Sequence, residues 1–170
     1  YIGNRVILTT VFDQYRSATH AIVTFEDISE ERRREEELAQ RAHKDPLTGL
    51  YNREGLRAQV NALRCSPDRP ATGAFLLLDL DHFKEVNDTL GHAVGDRYIQ
   101  RAAEALRQAL GSRAILYRVG GDEFVAFYAQ ASAEQLERDE EAIKWYFEEL
   151  REDWPVETSL SIGGAMFAPE

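Results

Sequence analysis

Residues 118–127, "RVGGDEFVAF", set two adjacent acids behind a glycine pair and ahead of an apolar run. If Gly120 and Gly121 form a two-residue turn, Val119 faces Asp122 and Arg118 faces Glu123. A cross-strand ion pair with Arg118 then accounts for Glu123. Asp122, at the hairpin tip, has no such employment. Asp79 raises the same question. It follows Phe75, Leu76, Leu77 and Leu78 in a run, 73–80, that reads as a buried strand. A buried carboxylate is costly unless it is paired, protonated or bound to a metal. If the two strands are neighbours, Asp79 and Asp122 meet at one end of the sheet, where they repel unless a cation lies between them. Hard oxygen donors suit Mg²⁺ or Mn²⁺, and Mg²⁺ is usually shared with a phosphate. The chemistry this implies is metal-assisted phosphoryl transfer, with a hydroxyl as nucleophile and pyrophosphate leaving.

The segment between them, "DHFKEVNDTLGHAVGD" (81–96), supports a nucleotide. Asp81 reads as the N-cap of a helix. The N–H groups of His82 and Phe83 would face a phosphate. Lys84 lies in the first turn, where a cation opposes the helix dipole, so it has another use. Asn87 and Asp96 flank a glycine-containing bend. Together an amide and a carboxylate can read guanine, the carboxylate accepting from N1–H and the exocyclic amine. Taken singly, each of these is an ordinary surface residue.

The elements that must position these groups follow from periodicity. Residues 53–64, 82–90, 94–110 and 132–151 read as helices, the last with an apolar stripe of Ile143, Tyr146, Phe147 and Leu150. Residues 73–80, 114–119, 123–129 and 157–164 read as strands. The order predicts an α/β (α+β) fold of the split β-α-β type, a ferredoxin-like sheet flanked by helices with a hairpin inside it. Upstream, 5–12 and 20–27 read as a hairpin. Asp27 with Glu30 resembles a capping box. The pairs Glu30/Arg34, Arg32/Glu36, Arg33/Glu37 and Glu37/Arg41 support a solvated helix whose few apolar positions include Ile28, Leu38, Ala39 and Ala42.

The chain has 170 residues, 44% of them hydrophobic, enough for a core, and a formal net charge of −10. That charge disfavours a nucleic-acid surface. One cysteine, Cys65, precludes an intrachain disulfide, and no apolar run reaches membrane-spanning length. A cytoplasmic location without direct membrane contact is expected.

The stretches "DPLTGLYNR" (45–53), "DLDHFKEVNDTLGHAVGD" (79–96), "YRVGGDEF" (117–124) and "SLSIGGA" (159–165) resemble the GGDEF family of diguanylate cyclases, in the family's order. The resemblance implies a nucleotidyl-cyclase palm-type fold and condensation of two GTP to cyclic di-GMP across a homodimer. Each 3′-hydroxyl would attack the opposite α-phosphate. Asp79, the Leu80 carbonyl and Asp122 would hold the metals, Asp122 also assisting deprotonation. Lys84 would stabilise charge on phosphate, Asn87 and Asp96 would bind guanine, and His92 would lie at the substrate site. Glu123 would combine structural and catalytic roles, while Asp45 and Arg53 act as clasps. Residues 1–28 resemble the end of a PAS sensor domain, with 29–44 as a connector helix and 45–170 as the GGDEF domain.

Two departures stand out. The family's product-inhibition motif, Arg-x-x-Asp, is replaced by "GSRA" (111–114), so weak feedback is expected. By the same resemblance a helix bearing Lys and Arg would continue past "SIGGAMFAPE", and 45–170 is expected to lack it. Three other readings compete with the cyclase: a silent module that binds GTP or cyclic di-GMP and signals to a partner, a cyclase for other nucleotides, and a dimerisation unit. The acids in place favour an enzyme, and Asp96 favours guanine.

Overall fold

The computed structural model describes residues 4–12, 15, 18–31, 33–34, 42–65, 73–150 and 154–167. The chain divides into two units, Tyr1–Ala42 and His43–Glu170.

In the first unit, β1 (Asn4–Phe12) pairs antiparallel with β2 (Ala18–Asp27), with Val6 opposite Phe25 and Leu8 opposite Val23. Alternation puts Val6, Leu8, Val23 and Phe25 on one face and Ile7 and Ile22 on the other; all are exposed. Asp27 Oδ1 accepts the Ser29 N–H at 2.9 Å and opens a helical stretch in which Arg34 pairs with Glu30 at 3.4 Å. Leu38, Ala39 and the other three expected ion pairs fall outside the described residues.

The second unit runs α1 (Arg53–Cys65), β3 (Gly73–Leu80), α2 (Phe83–Leu90), α3 (His92–Leu110), β4 (Ile115–Arg118), β5 (Glu123–Tyr128), α4 (Ala133–Leu150), β6 (Leu160–Phe167). The sheet order is β4-β5-β3-β6, with every neighbouring pair antiparallel. This is the expected split β-α-β arrangement: α2 and α3 cross from β3 to β4, and α4 crosses from β5 to β6.

Both crossovers cover one face of the sheet. Leu76, Leu78 and Leu80 of β3 and Phe124 and Ala126 of β5 pack there against Ala102, Ala105, Leu106, Ile143 and Phe147. Each fully buried leucine contributes about 1.5–3 kcal/mol relative to exposure. The alanines keep the helix α3 slim where it passes the sheet and α4. Tyr98 fastens α3 to the chain entering β6: its hydroxyl donates to the Val156 carbonyl and accepts the Val156 N–H, both at 3.2 Å.

The other face is only partly covered. Leu56 and Leu63 of α1 pack over Tyr117, Val125 and Phe127. Leu77, farther along, is 56% exposed. The expectation that 73–80 is a buried strand therefore holds for one face only. From Leu76 onward burial alternates, and Asp79 lies on the open face rather than in the core.

β6 begins at Leu160, three residues later than expected. Leu160 pairs with Leu80, the last residue of β3, so the residues before it have no ladder partner. On α4, Ile143 and Phe147 are buried and Tyr146 half-buried, as the stripe predicts, while the Leu150 side chain lies outside the described residues.

Candidate functional site

The site begins where β3 ends and β5 starts. Asp79 stands directly opposite Glu123 in the ladder, and the Leu80 N–H donates to the Asp122 carbonyl at 3.3 Å. The structure thus brings Asp79, Leu80, Asp122 and Glu123 to one end of the sheet. Partial burial, and then the nearby Asp122, Glu123 and Asp81 carboxylates, raise the Asp79 pKa above the ordinary carboxylate value. An open cleft of about 370 Å³ adjoins this cluster, lined by Leu77, Asp79, Val119, Glu123, Val125 and Ser161.

The hairpin differs from the two-residue turn expected. Arg118 pairs with Phe124, and the Val119 N–H donates to the Glu123 carbonyl at 3.0 Å, so the loop is Gly120-Gly121-Asp122. Neither glycine has the positive φ that a type I′ turn demands. Gly120 instead leaves room for Glu123: a Cβ there would meet the Glu123 carboxylate folded over it, which would have to swing aside.

The register change removes the Arg118–Glu123 ion pair. Arg118 instead bonds Asp45 at 3.1 and 3.2 Å and donates to the Gly121 carbonyl at 2.8 and 3.1 Å. Asp45 also accepts the Thr48 N–H at 2.8 Å and the Thr48 hydroxyl at 2.6 Å. These bonds lower its pKa despite partial burial. Arg53 donates from Nε to the Val119 carbonyl at 2.8 Å, and Tyr51 joins the edge of β4, its N–H donating to Leu116 and its carbonyl accepting from Arg118. The 45–53 segment therefore grips the GGDE loop from outside. Glu123 has lost its structural partner and belongs with the acidic cluster.

Asp81 does not cap α2, contrary to expectation. The N-cap is His82, with a left-handed backbone and no side-chain cap bond. Asp81 accepts from the hydroxyls of Ser159 and Ser161 on the chain entering and forming β6, and these bonds lower its pKa. Sequence reading missed the serines; the signal was their alternation in "SLSIGG", which puts both on one face.

The remaining predicted residues line the turn and the two helices after it. His82 and Lys84 are exposed, and Phe83 is buried, so its part in any site is confined to its backbone. Asn87 is half-buried on α2, and its amide oxygen occupies the space that a Cβ at Gly95 would need. Gly91, at φ 81°, makes the sharp junction between α2 and α3. His92 and Asp96, four residues apart at the start of α3, share one helix face and are both exposed.

Among the described residues, no three His, Cys, Asp or Glu side chains converge as a ready-made cation cage. Two carboxylates and a main-chain carbonyl, as at Asp79, Asp122 and Leu80, are a different donor set. Its raised Asp79 and hard oxygens fit a divalent cation. No described helix is long and apolar enough to cross a membrane.

Comparison with known proteins bears on the family and the fold. Diguanylate cyclase DgcN of Escherichia coli K12 is 40% identical over 134 residues, covering 76% of this chain and 33% of that protein. Diguanylate cyclase DosC of the same organism is 32% identical over 174 residues, covering 98% of this chain and 36% of DosC. The chain thus spans about a third of the length of these relatives. Among solved structures, the coiled coil and GGDEF domain of DgcB from Caulobacter crescentus, in complex with c-di-GMP, superposes with a TM-score of 0.71 at 26% identity. That match covers 84% of this chain and 78% of the other. The family model for the diguanylate cyclase GGDEF domain matches residues 42–170, and the chain belongs to that family.

Proposed function

We propose that residues 45–170 form a GGDEF domain that condenses two GTP molecules into cyclic di-GMP. Each protomer of a homodimer binds one GTP. The 3′-hydroxyl of each nucleotide attacks the α-phosphorus of the other, so two phosphodiester bonds form and two pyrophosphates leave. The observation that carries this reading is the gathering of Asp79, Leu80, Asp122 and Glu123 at one sheet end, with no ion pair to these carboxylates among the described residues.

Asp79, Asp122 and the Leu80 carbonyl would hold Mg²⁺ or Mn²⁺, which when bound supplies charge neutralisation and activates the attacking hydroxyl. Asp122, held at the loop end, accepts the hydroxyl proton. Glu123, folded over Gly120, adds a second carboxylate beside it. Lys84, in the first turn of α2, meets charge accumulating on the phosphates, and the His82 and Phe83 N–H groups orient them. Asn87 and Asp96 read the guanine edge, and His92 lies on the Asp96 face of α3.

Residues 1–28 are read as the end of a PAS sensor domain and 29–44 as its connector to the cyclase, with the reaction in the cytoplasm. The exposed apolar faces of the β1–β2 hairpin support the view that it belongs to a larger sheet.

The test is incubation with Mg²⁺ and GTP, with products followed by mass. Cyclic di-GMP should accumulate, and Asp122→Ala should lower its rate at least about a hundredfold with an unchanged circular dichroism spectrum. Retained turnover in that variant, or an untouched GTP pool with the unaltered chain, would sink the assignment.

A further inference from the structure

His82, in the turn between β3 and α2, is the one described non-glycine residue with a left-handed backbone, at φ 60° and ψ 18°. A side chain with a Cβ disfavours that conformation, which persists only where the surroundings fix it. His82 does not fix itself, since its side chain makes no cap bond. The residue before it is fixed three ways. The Asp81 N–H donates to the Ser159 carbonyl at 2.9 Å, Oδ1 accepts the Ser161 hydroxyl at 2.7 Å, and Oδ2 accepts the Ser159 hydroxyl. β3 and β6 are paired up to Leu80 and Leu160, so this clasp extends their join one residue into the turn. On the other side, the His82 carbonyl accepts the Glu85 N–H at 2.9 Å and starts α2.

The turn is therefore anchored at both ends, with the strained residue between. Both Asp81 oxygens are engaged by hydroxyls, which sets Asp81 apart from Asp79 two residues earlier. Directly after His82 the chain enters α2, with Lys84 in its first turn. A rotation of His82 out of the left-handed region would redirect all of these groups together.

We infer that Asp81 is a positioning residue: its clasp with Ser159 and Ser161 holds His82 left-handed and so aims the first N–H groups of α2, and Lys84, at the phosphates of the bound nucleotide. The inference rests on the cyclase reading for the identity of the nucleotide, and on the turn geometry alone for the hold on His82.

The test compares the Ser159→Ala/Ser161→Ala pair in two backgrounds, unaltered and His82→Gly, because glycine adopts the left-handed conformation without strain. Two quantities are read. One is amide hydrogen exchange across residues 82–86 in the nucleotide-free chain. The other is the Kd for a GTP analogue with a methylene between its α- and β-phosphorus atoms, with Mg²⁺ present. With His82 in place, removing the hydroxyls should speed exchange and raise Kd, each by about tenfold. In the His82→Gly background the same removal should change either by less than about threefold. Ser161→Thr, which retains the hydroxyl, should behave as the unaltered chain, and Asp81→Asn, which keeps one acceptor oxygen, should fall between.

Unchanged exchange in the double-alanine variant would overturn the inference, as would equal effects in the two backgrounds. If exchange responds as expected but the unaltered chain does not bind the analogue, the hold on His82 stands and the cyclase reading fails.

Discussion

Asp79 shows how an acid placed among other acids strains the fold around it. Its carboxyl is raised by partial burial and by the Asp122, Glu123 and Asp81 carboxylates, so the folded chain binds this proton more tightly than the unfolded chain does. Stability from this group is greatest in acid and falls as pH rises from the ordinary carboxylate value through the raised one. Asp79→Asn should therefore raise the Tm of the metal-free chain at pH 7, by about 1–3 °C for a chain of this size. The difference should shrink as pH falls through that window, and Mg²⁺ should no longer stabilise the variant. Thermal unfolding at pH 7 and pH 4, with and without Mg²⁺, checks all three. An Asp79→Asn variant less stable than the unaltered metal-free chain would refute the repulsion argument. The sequence exposed Asp79 and Asp122 because each lacked a structural partner. It misassigned Glu123 because the true partner of Arg118 is Asp45, 73 positions away in the chain. A local rule for hairpins cannot see a guanidinium turned outward to a distant carboxylate.

At the scale of elements, most boundaries were legible, since α1, β3, α2, β4, β5 and α4 follow from period and from glycine breaks. The register of the β4–β5 hairpin was not, because two glycines suit a two-residue turn and a three-residue loop equally until Glu123 is seen lying over Gly120. The α2–α3 corner has a similar close approach. Gly95→Ala would favour the helix intrinsically, yet its methyl would collide with the Asn87 amide. This substitution should weaken binding of the GTP analogue at least about tenfold with little change in Tm, as read by calorimetry; unchanged affinity would remove Asn87 from the base site.

Arg113 is the other element-scale case. It stands in the stretch where the family carries its feedback motif, but it bonds Asp139 of α4 at 2.8 and 3.1 Å. Asp139 is only 2% exposed and is also held by Gln135 at 3.0 Å. Arg113→Ala leaves a buried carboxylate short of its cation and should cost about 2–4 kcal/mol in denaturant unfolding. Titration with cyclic di-GMP should show no tight binding that this variant abolishes. Such binding would mean that a feedback site exists after all.

At the scale of the whole molecule, the four-stranded sheet serves as a platform with unequal faces. The helices α2, α3 and α4 seal one face, while α1 covers only the β4–β5 side of the other. The acidic cluster lies at the end of that partly open face, and the segment 45–53 stiffens its loop from the sheet edge. An acidic cluster at the end of a partly open face suits the proposed reaction, in which each of two chains would offer its nucleotide to the other. The fold class was legible because the split β-α-β order follows from element types alone. The open face was not, because it depends on which crossovers cover which side.

The most direct test of the central claim is the rate of cyclic di-GMP formation per chain, measured by mass over a hundredfold range of chain concentration with saturating GTP and Mg²⁺. Two opposed half-sites predict a rate per chain that rises in proportion to concentration at the dilute end and levels off once dimers dominate. A rate per chain that stays constant down to concentrations where the chain is monomeric by sedimentation would contradict it, as would a product other than cyclic di-GMP.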